Sequence, residues 1–335
     1  MSINSLKSEG DEVSVTDRSL EQAFNAVFHD RESFNDFCTL PLAPEVSEIP
    51  LHLRKVYRPS DKLKTYLRFI DKVVLRHLKY NASVVHSYIK GSSALTAVQA
   101  HAKNQAFFLS DIKSFFPNIG DQDVRKVLMR DSHRIPILDF DQHIERVTKL
   151  MTLDGVLPVG FPTSPKLSNG FLHEFDNALA AYCDSTGLTY TRYSDDIIIS
   201  GMDRAKLTVL REKVQMMLEE HASKSLRLND EKTRVTHRGN KVKILGLVIT
   251  PDGQVTIDVS RKHALEGLLH FYATDTEKYK NLLEKTFKGE DKERSLFGML
   301  HYANSCDSEY LVKLQKKYGV LILRTLMEDR WSGNR

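Results

Sequence analysis

Apolar residues recur at helical spacing in several separate stretches of the chain. Residues 1–18 lack hydrophobic periodicity and are expected to stay mobile, whereas the pattern that starts at Leu20 predicts a first helix. From Ser60 to Asn81, apolar positions follow i, i+3, i+4 spacing with Lys and Arg between them. This second stretch predicts one basic amphipathic helix.

Strand patterns occupy the middle of the chain. The apolar run at 106–112 indicates a buried strand that leads into a turn and a helix. The β-rich runs at 189–193 and 197–200 predict a hairpin with Asp195 and Asp196 at its tip. A second hairpin is predicted where 241–250 and 254–257 flank Pro-Asp-Gly.

Helical patterns separate and follow these strands. Thr163 is expected to cap a helix that begins at Ser164 and Pro165 and ends at Gly187. Apolar spacing predicts another helix at 207–218, and from about Ser260 the pattern is only helical. The sequence therefore predicts an α+β protein with a helical C-terminal lobe.

Composition narrows the class of protein without revealing a function. The chain has 335 residues, of which 41% are hydrophobic, so it can form one large domain or two or three lobes. It has 48 Lys and Arg against 44 Asp and Glu, a mild basic bias that permits a polyanionic partner. Three widely separated cysteines indicate neither a disulfide framework nor a zinc knuckle. No stretch approaches the ~20 apolar residues of a membrane span, and we expect a soluble cytoplasmic protein with no membrane partner.

Three carboxylates are candidates for chemistry. Asp111 ends a predicted strand and Asp195-Asp196 lies at a predicted hairpin tip, so two strands could bring them together. Such a cluster is stable only if cations neutralise it. Two hard divalent ions about 3.5–4 Å apart would activate a 3′-hydroxyl and stabilise a leaving pyrophosphate. An aspartate in a turn is more often solvated or capping, so nucleotidyl transfer is a hypothesis at this point.

Six segments resemble, in the same order, characteristic segments of reverse transcriptases. They are the first catalytic box (107–119), the nucleotide segment Gly-x-Pro-x-Ser-Pro-x-Leu-x-Asn (160–169), the Tyr-x-Asp-Asp box (193–196), the lysine box (229–233), the primer-grip hairpin (243–250) and the thumb (296–319). From about Arg54 to its end, the chain resembles bacterial reverse transcriptases of the retron-type or the defence-associated, unclassified groups.

The resemblance implies a right-hand polymerase with fingers, a ferredoxin-like antiparallel palm and a helical thumb. It divides the chain into a mobile N-terminal segment (1–18), N-terminal helices and fingers (19–100), a palm with an embedded fingers helix (101–257) and the thumb (258–335).

Catalytic roles follow from the same resemblance. Asp111, Asp195 and Asp196 would bind two Mg²⁺ ions, with the Ile112 carbonyl as an additional ligand and Mn²⁺ as a substitute ion. Lys232 would approach the pyrophosphate as an acid or electrostatic partner, because charge develops there.

Substrate contacts are implied as well. Nucleotide binding would involve Arg54, Phe116, Gly160, Ser164, Pro165 and Asn169. Nucleic-acid binding would involve Lys62, Arg68, Lys72, Tyr193, Leu245 and Gly246. Phe116 would exclude a ribose 2′-hydroxyl by its bulk, the alternative being a core phenylalanine. The basic residues after Ser60 interleave with Tyr66 and Phe69 on a face that either tracks a phosphate backbone or is merely solvated. His101 lies where such enzymes often have a histidine, and a purely structural histidine is the alternative.

Some positions depart from the family pattern. Val159 stands where many relatives have Gln, and 97–101 and 244–246 replace the Asn-Ala-x-x-His and Val-Thr-Gly elements of retron enzymes. These departures favour the defence-associated group. We therefore expect an RNA-directed DNA polymerase that adds dNTPs to a 3′-hydroxyl, makes a DNA product and uses a dedicated noncoding RNA as template or primer in antiphage defence.

Three alternatives stay open. A retron enzyme would make branched, RNA-linked single-stranded DNA. An RNA-dependent RNA polymerase or nucleotide cyclase could use a similar palm, although Phe116 argues against ribonucleotides. A catalytically silent RNA-binding scaffold is the alternative from a different class. The sequence leaves the template, the priming group, a homo-oligomer and an effector protein undetermined.

Overall fold

The computed structural model describes residues 18–51, 54–239, 241–288 and 291–328, with the side chains of 50, 51 and 54 excepted. The segment predicted to be mobile therefore lies outside the described residues, apart from Arg18, which forms a parallel bridge with Ile137. Across the described residues, none of the helices combines the length and the apolar character needed to cross a bilayer.

The helices occur throughout the described chain and alone make up its C-terminal part. They are α1 (Leu20–Phe28), α2 (Phe34–Thr39), α3 (Asp61–Val73), α4 (Ala94–Gln99), α5 (Asp121–Asp131), α6 (Phe140–Met151), α7 (Ser164–Phe171), α8 (His173–Thr186), α9 (Arg204–Thr208), α10 (Leu210–His221), α11 (Val259–Thr274), α12 (Thr276–Thr286), α13 (Lys292–Cys306), α14 (Ser308–Tyr318) and α15 (Val320–Glu328).

The strands form three antiparallel sheets. They are β1 (Val46–Leu51), β2 (Arg54–Pro59), β3 (Ala106–Asp111), β4 (Thr189–Tyr193), β5 (Asp196–Gly201), β6 (Arg234–His237), β7 (Val242–Ile244), β8 (Leu247–Ile249) and β9 (Val255–Ile257). Their orders are β1-β2, β4-β5-β3-β6 and β7-β8-β9. The predicted α+β class is confirmed.

The described chain divides into two compact units. The first contains the residues up to 81 together with 113–177 and 218–226, and the second contains 82–112, 178–217 and the residues from 227 onward. The predicted division into fingers, palm and thumb is a finer one and stays a prediction.

The second unit is built on the four-stranded sheet. Its central strands β3 and β5 are buried along nearly their whole length, as expected for the apolar runs Ala-Phe-Phe-Leu and Ile-Ile-Ile. A continuous core joins this sheet to β7, β8 and β9 and to the C-terminal helices, through residues such as Phe107, Leu247, Leu268 and Leu300. The predicted helical lobe is thus a packed part of the same unit as the sheet.

The first unit contains an aromatic cluster. The ring of Phe24 on α1 lies within 5.8 Å, centroid to centroid, of the rings of Phe37, Tyr66 and Phe69. Edge and tilted arrangements of this kind are the favoured ones for aromatic pairs. The cluster fixes the buried face of α3.

Several predicted helices are shorter than the pattern indicated. The helix from Ser60 ends at Val73, and a 3-10 turn at Leu75–His77 follows, because the chain turns to bury Leu78 against Gly170. The helix predicted to run to Gly187 is broken at Leu172, shortly after Gly170, a residue type that weakens helices. The prediction at 207–218 was also wrong in length, since α9 and α10 separate there.

Two local predictions were wrong in detail. Thr163 occupies the N-cap position of α7 but makes no capping hydrogen bond, because its backbone is already helical (φ −83°, ψ −29°) and not extended. The run 241–250, which the hydrophobic pattern presents as one strand, is two strands, since Leu245 and Gly246 adopt φ of 51° and 78° and form a tight turn. The hairpin that the resemblance implies at 243–250 is confirmed. The hairpin at Pro251-Asp252-Gly253 is confirmed.

Candidate active site

Two candidate aspartates face each other across the central strands. Asp111 is the last residue of β3, Asp196 is the first of β5, and the register places them directly opposite. Such partners have Cα atoms about 4.5–5.5 Å apart. Asp195 precedes β5 in the turn, and its carbonyl accepts a hydrogen bond from the Ile112 amide at 3.0 Å. The sheet therefore brings Asp111, Ile112, Asp195 and Asp196 to one end of the β3–β5 pair.

Negative charge is in excess at this end. Asp111 is only 4% exposed, and its Oδ2 accepts a hydrogen bond from Lys232 Nζ at 2.5 Å. Burial, followed by the charges of Asp195 and Asp111, raises the pKa of Asp196 to about 6. The hydrogen bond to Asp111 raises the pKa of Lys232. The Lys232 ammonium therefore contacts one of the three carboxyl groups.

The donor set fits divalent cations. Carboxylate oxygens are the ligands that Mg²⁺ and Ca²⁺ prefer, and Asp111 Oδ1 is buried with no hydrogen-bond partner among the described residues. In the same described part of the chain, no three acidic, His or Cys side chains are grouped so that they could hold a metal ion. Lys232 occupies the other oxygen of Asp111, so cation binding would have to displace it or share that carboxylate.

A cleft of about 180 Å³ opens beside the carboxylates. Asp111, Asp196, Lys232 and Leu245 line it, together with Arg234 and Lys243. Leu245 belongs to the β7–β8 turn, where Gly246 lies against the Arg261 guanidinium. Neither Arg234 nor Lys243 was predicted as a site residue, although Arg234 follows the lysine box and Lys243 begins the primer-grip segment.

Other predicted site residues belong to the first unit and have structural contacts there. Gly160 has φ 111°, and a Cβ at this position would overlap the Tyr57 carbonyl oxygen. Ser164 is buried and donates its hydroxyl hydrogen to the Pro158 carbonyl at 2.7 Å. Pro165 lies in the first turn of α7, and Asn169 is buried in the same helix. These contacts fix the shape of the segment.

Phe116 is the less buried ring of a stacked pair. Its centroid lies 5.5 Å from that of Phe115 with an interplanar angle of 22°, and Phe115 is the ring in the core. Phe116 therefore keeps part of its surface exposed, as a contact residue requires.

The basic helix differs from the prediction in one respect. Lys62, Arg68 and Lys72 are exposed on α3, with Lys62 paired to Asp36 at 2.5 Å. Tyr66 and Phe69 do not share that surface, because both are buried in the aromatic cluster. The expectation of a mixed aromatic and basic face was wrong, and any nucleic-acid contact there would be made by charge alone.

Two further predicted site residues lie at strand ends, Arg54 on β2 and Tyr193 on β4. Arg54 begins β2, and its side chain lies outside the described residues. Tyr193 ends β4 directly opposite Asp196.

His101 has a structural position. It is fully buried between the hydroxyls of Ser200 and Thr191, at 2.6 Å and 2.8 Å. Burial lowers its pKa to about 3, so the imidazole is neutral near pH 7. Of the two alternatives for His101, the structural one agrees with these contacts.

The antiparallel α+β fold and the acidic end of its sheet are those of a right-hand polymerase. Residues 49–249 match the family described as reverse transcriptase (RNA-dependent DNA polymerase). This match covers more than half of the chain, which belongs to the reverse transcriptase family. The chain is therefore an RNA-directed DNA polymerase.

Curated relatives indicate which kind of reverse transcriptase this chain resembles. The retron Ec73 and retron Ec86 reverse transcriptases of Escherichia coli are 27% and 28% identical to this chain over 275 and 279 residues. These alignments cover 79% and 80% of this chain and 83% and 78% of the two relatives. The similarity supports a bacterial retron-type enzyme.

A solved structure of telomerase from Candida albicans with a fragment of telomeric RNA is also similar, at 12% identity and a TM-score of 0.45. The match covers 93% of this chain and 63% of the telomerase chain, so this chain spans less than two thirds of its length.

Proposed function

We propose that the chain copies RNA into DNA at the site formed by Asp111, Asp195 and Asp196. The observation that carries this proposal is the cross-strand pair Asp111–Asp196, in which Asp111 keeps a buried oxygen without a hydrogen-bond partner. Like charges placed directly opposite destabilise a sheet, so a cluster of this kind needs a compensating cation. The cofactor would be two Mg²⁺ ions, with Mn²⁺ as a substitute and the Ile112 carbonyl as an additional ligand.

The chemistry divides between the cations and the protein. Bound divalent cations would favour ionisation of the 3′-hydroxyl and stabilise the charge of the leaving pyrophosphate. Lys232 is the movable cation of the site, because its side chain is 56% exposed although it contacts Asp111. Once a bound divalent cation neutralises Asp111, the Lys232 ammonium would be free to turn toward the pyrophosphate. A lysine ammonium stays protonated near neutral pH without the Asp111 contact, as a proton donor or electrostatic partner must be.

Substrate contacts are proposed from the family resemblance. Arg54 would bind the triphosphate, and Phe116 would select deoxynucleotides by its bulk. Gly160, Ser164, Pro165 and Asn169 would shape the nucleotide pocket through backbone and packing, since the Ser164 hydroxyl is already engaged. Primer and template contacts would come from Tyr193, from the turn Leu245-Gly246 and from the exposed Lys62, Arg68 and Lys72.

The biological setting is proposed on the same basis. A dedicated noncoding RNA as template or primer and a role in antiphage defence follow from the resemblance to the defence-associated group. The curated relatives favour a second candidate, a retron enzyme that makes branched, RNA-linked single-stranded DNA. Sequencing the nucleic acid that co-purifies with the protein separates these two, because only the second yields DNA joined to an internal position of RNA.

Primer extension tests the proposed reaction. Purified protein receives a DNA primer annealed to a defined RNA template, with either four dNTPs or four NTPs and Mg²⁺. We expect extension with dNTPs only, ordered by the template. Extension with NTPs, or DNA whose sequence ignores the template, would contradict the proposal.

A further inference from the structure

The turn between β4 and β5, residues 194–195, and the loop beside it each contain a residue with a positive φ. Ser194 has φ 58° and Tyr88 has φ 61°, although neither is a glycine. Side chains disfavour this left-handed region, and residues stay there only where their surroundings hold them. Ser194 directly precedes Asp195, so its conformation sets the direction of the two carboxylates that follow it.

All three polar groups of Ser194 are engaged. Its amide donates to Ser87 Oγ at 2.8 Å, and its carbonyl accepts from Arg192 Nη1 at 2.8 Å. Its hydroxyl pairs with the Tyr88 hydroxyl at 2.9 Å. A solvent-accessible turn residue held at every polar atom has little freedom to relax.

The loop that supplies these contacts is itself anchored on the sheet. Arg192 on the edge strand β4 donates its amide to the Val84 carbonyl at 2.7 Å and accepts from the His86 amide at 2.9 Å. On the other side of the turn, the Ile112 amide holds the Asp195 carbonyl at 3.0 Å. The turn is thus fixed between β3 and the segment 84–88.

We propose that Ser87, Tyr88 and Arg192 form a turn clasp that positions Asp195 and Asp196 for cation binding. The proposal rests on the proposed role of these two aspartates. Ser87 and Tyr88 are positioning residues, because they act through Ser194 and touch neither carboxylate in these contacts. Ser87 is only 1% exposed, whereas Tyr88 is 45% exposed, so the Tyr88 hydroxyl is the part of the clasp that can be removed with least risk to folding.

The test measures how activity depends on Mg²⁺ concentration. Ser87→Ala should raise the Mg²⁺ concentration for half-maximal dNTP incorporation about tenfold, and Tyr88→Phe about threefold, as loss of groups that orient metal ligands does. The KM for dNTP at saturating Mg²⁺ should change by less than about twofold, because the clasp acts on the metal ligands. Tyr80→Phe is the matched control, since Tyr80 is a comparably exposed tyrosine outside the clasp.

A double-mutant cycle tests the hydroxyl pair itself. Tyr88→Phe and Ser194→Ala each remove one partner of the same hydrogen bond, so the double variant should show no more than the larger single effect. Effects that multiply would overturn the assignment of this pair. Ser87→Thr, which keeps the hydroxyl, should restore the Mg²⁺ response lost in Ser87→Ala.

Other outcomes separate this proposal from the proposed function. All variants are assayed well below their thermal midpoints. If the clasp variants keep the wild-type Mg²⁺ response and Asp195→Asn is inactive, the clasp is overturned and the proposed function is not. Activity that survives in Asp195→Asn would overturn the proposed function and the clasp with it. If Ser87→Ala does not fold, Tyr88→Phe and the cycle still decide the question.

Discussion

Replacing Asp196 by asparagine should stabilise the protein while removing a cation ligand. Burial, followed by the charges of Asp195 and Asp111, raises the pKa of Asp196 from the ordinary 3.8 to about 6. Each pKa unit corresponds to about 1.4 kcal/mol, so the ionised group costs the folded state roughly 3 kcal/mol at pH 8. Solvent reaches part of the side chain, and screening reduces this figure to about 1–2 kcal/mol.

The sign of the pH dependence is fixed by the direction of the pKa shift. A carboxyl group with a raised pKa binds its proton more tightly in the folded chain, so it destabilises the fold above pH 6 and not below pH 4. Asp196→Asn should therefore raise the thermal midpoint by about 1–3 °C at pH 8 in EDTA. The difference should shrink as the pH approaches 4.

Added Mg²⁺ should reverse the order of stability, so that the wild type has a higher thermal midpoint than Asp196→Asn. A ligand that binds only the folded state stabilises it more when it binds more tightly, so Mg²⁺ should stabilise the wild type more than Asp196→Asn. Differential scanning fluorimetry at several Mg²⁺ concentrations measures both effects. Glu277→Gln on α12, an equal charge change at an exposed position outside the site, is the control and should shift neither. A variant less stable than the wild type in EDTA, or equally stabilised by Mg²⁺, would refute the reasoning.

Three further predictions follow from individual residues. Phe116→Ala should relax sugar selectivity by roughly 10- to 100-fold in competition between dNTP and NTP, and unchanged selectivity would contradict the gate. Gly160→Ala should destabilise the fold by about 2–4 kcal/mol through its left-handed φ and the overlap with Tyr57. The control is Gly298→Ala on α13, where a Cβ meets nothing within 4 Å, and this variant should be neutral or slightly stabilising. Equal urea midpoints for Gly160→Ala and Gly298→Ala would contradict this prediction. Burial lowers the pKa of His101 from 6.5 in the unfolded chain to about 3 in the folded one, so acid favours unfolding. Between pH 6.5 and 4.5 the wild type should lose about 2–3 kcal/mol more stability than His101→Asn, and parallel pH profiles would exclude this role.

Local patterns were sufficient to predict the strands that carry the carboxylates. The apolar runs before Asp111 and after Asp196 have no helical period, so they indicated buried strands, and the structure pairs them. Their direct register could not be predicted, because it depends on how β3 selects β5 as a partner far along the chain.

Contacts distant in sequence account for what the patterns missed. Tyr66 and Phe69 alternate with basic residues in the sequence, yet they face the core because Phe24 and Phe37 pack on that side of α3. Ser87 and Tyr88 reach Ser194 across more than a hundred residues, and neither carries a local signal of that contact. The end of α3 at Val73 likewise has no Pro or Gly to mark it, and the end of α7 at Phe171 has only the weak signal of Gly170.

The most direct test of the active site compares single replacements of its three carboxylates. Wild type, Asp111→Asn, Asp195→Asn and Asp196→Asn are purified and supplied with a primed RNA template, labelled dNTPs and Mg²⁺, with Glu277→Gln as the control. Each active-site replacement should lower incorporation by about 10³-fold or more while the protein stays folded and bound to RNA, and the control should match the wild type. Incorporation within tenfold of the wild type in any of the three would contradict the assignment of that residue to the catalytic site.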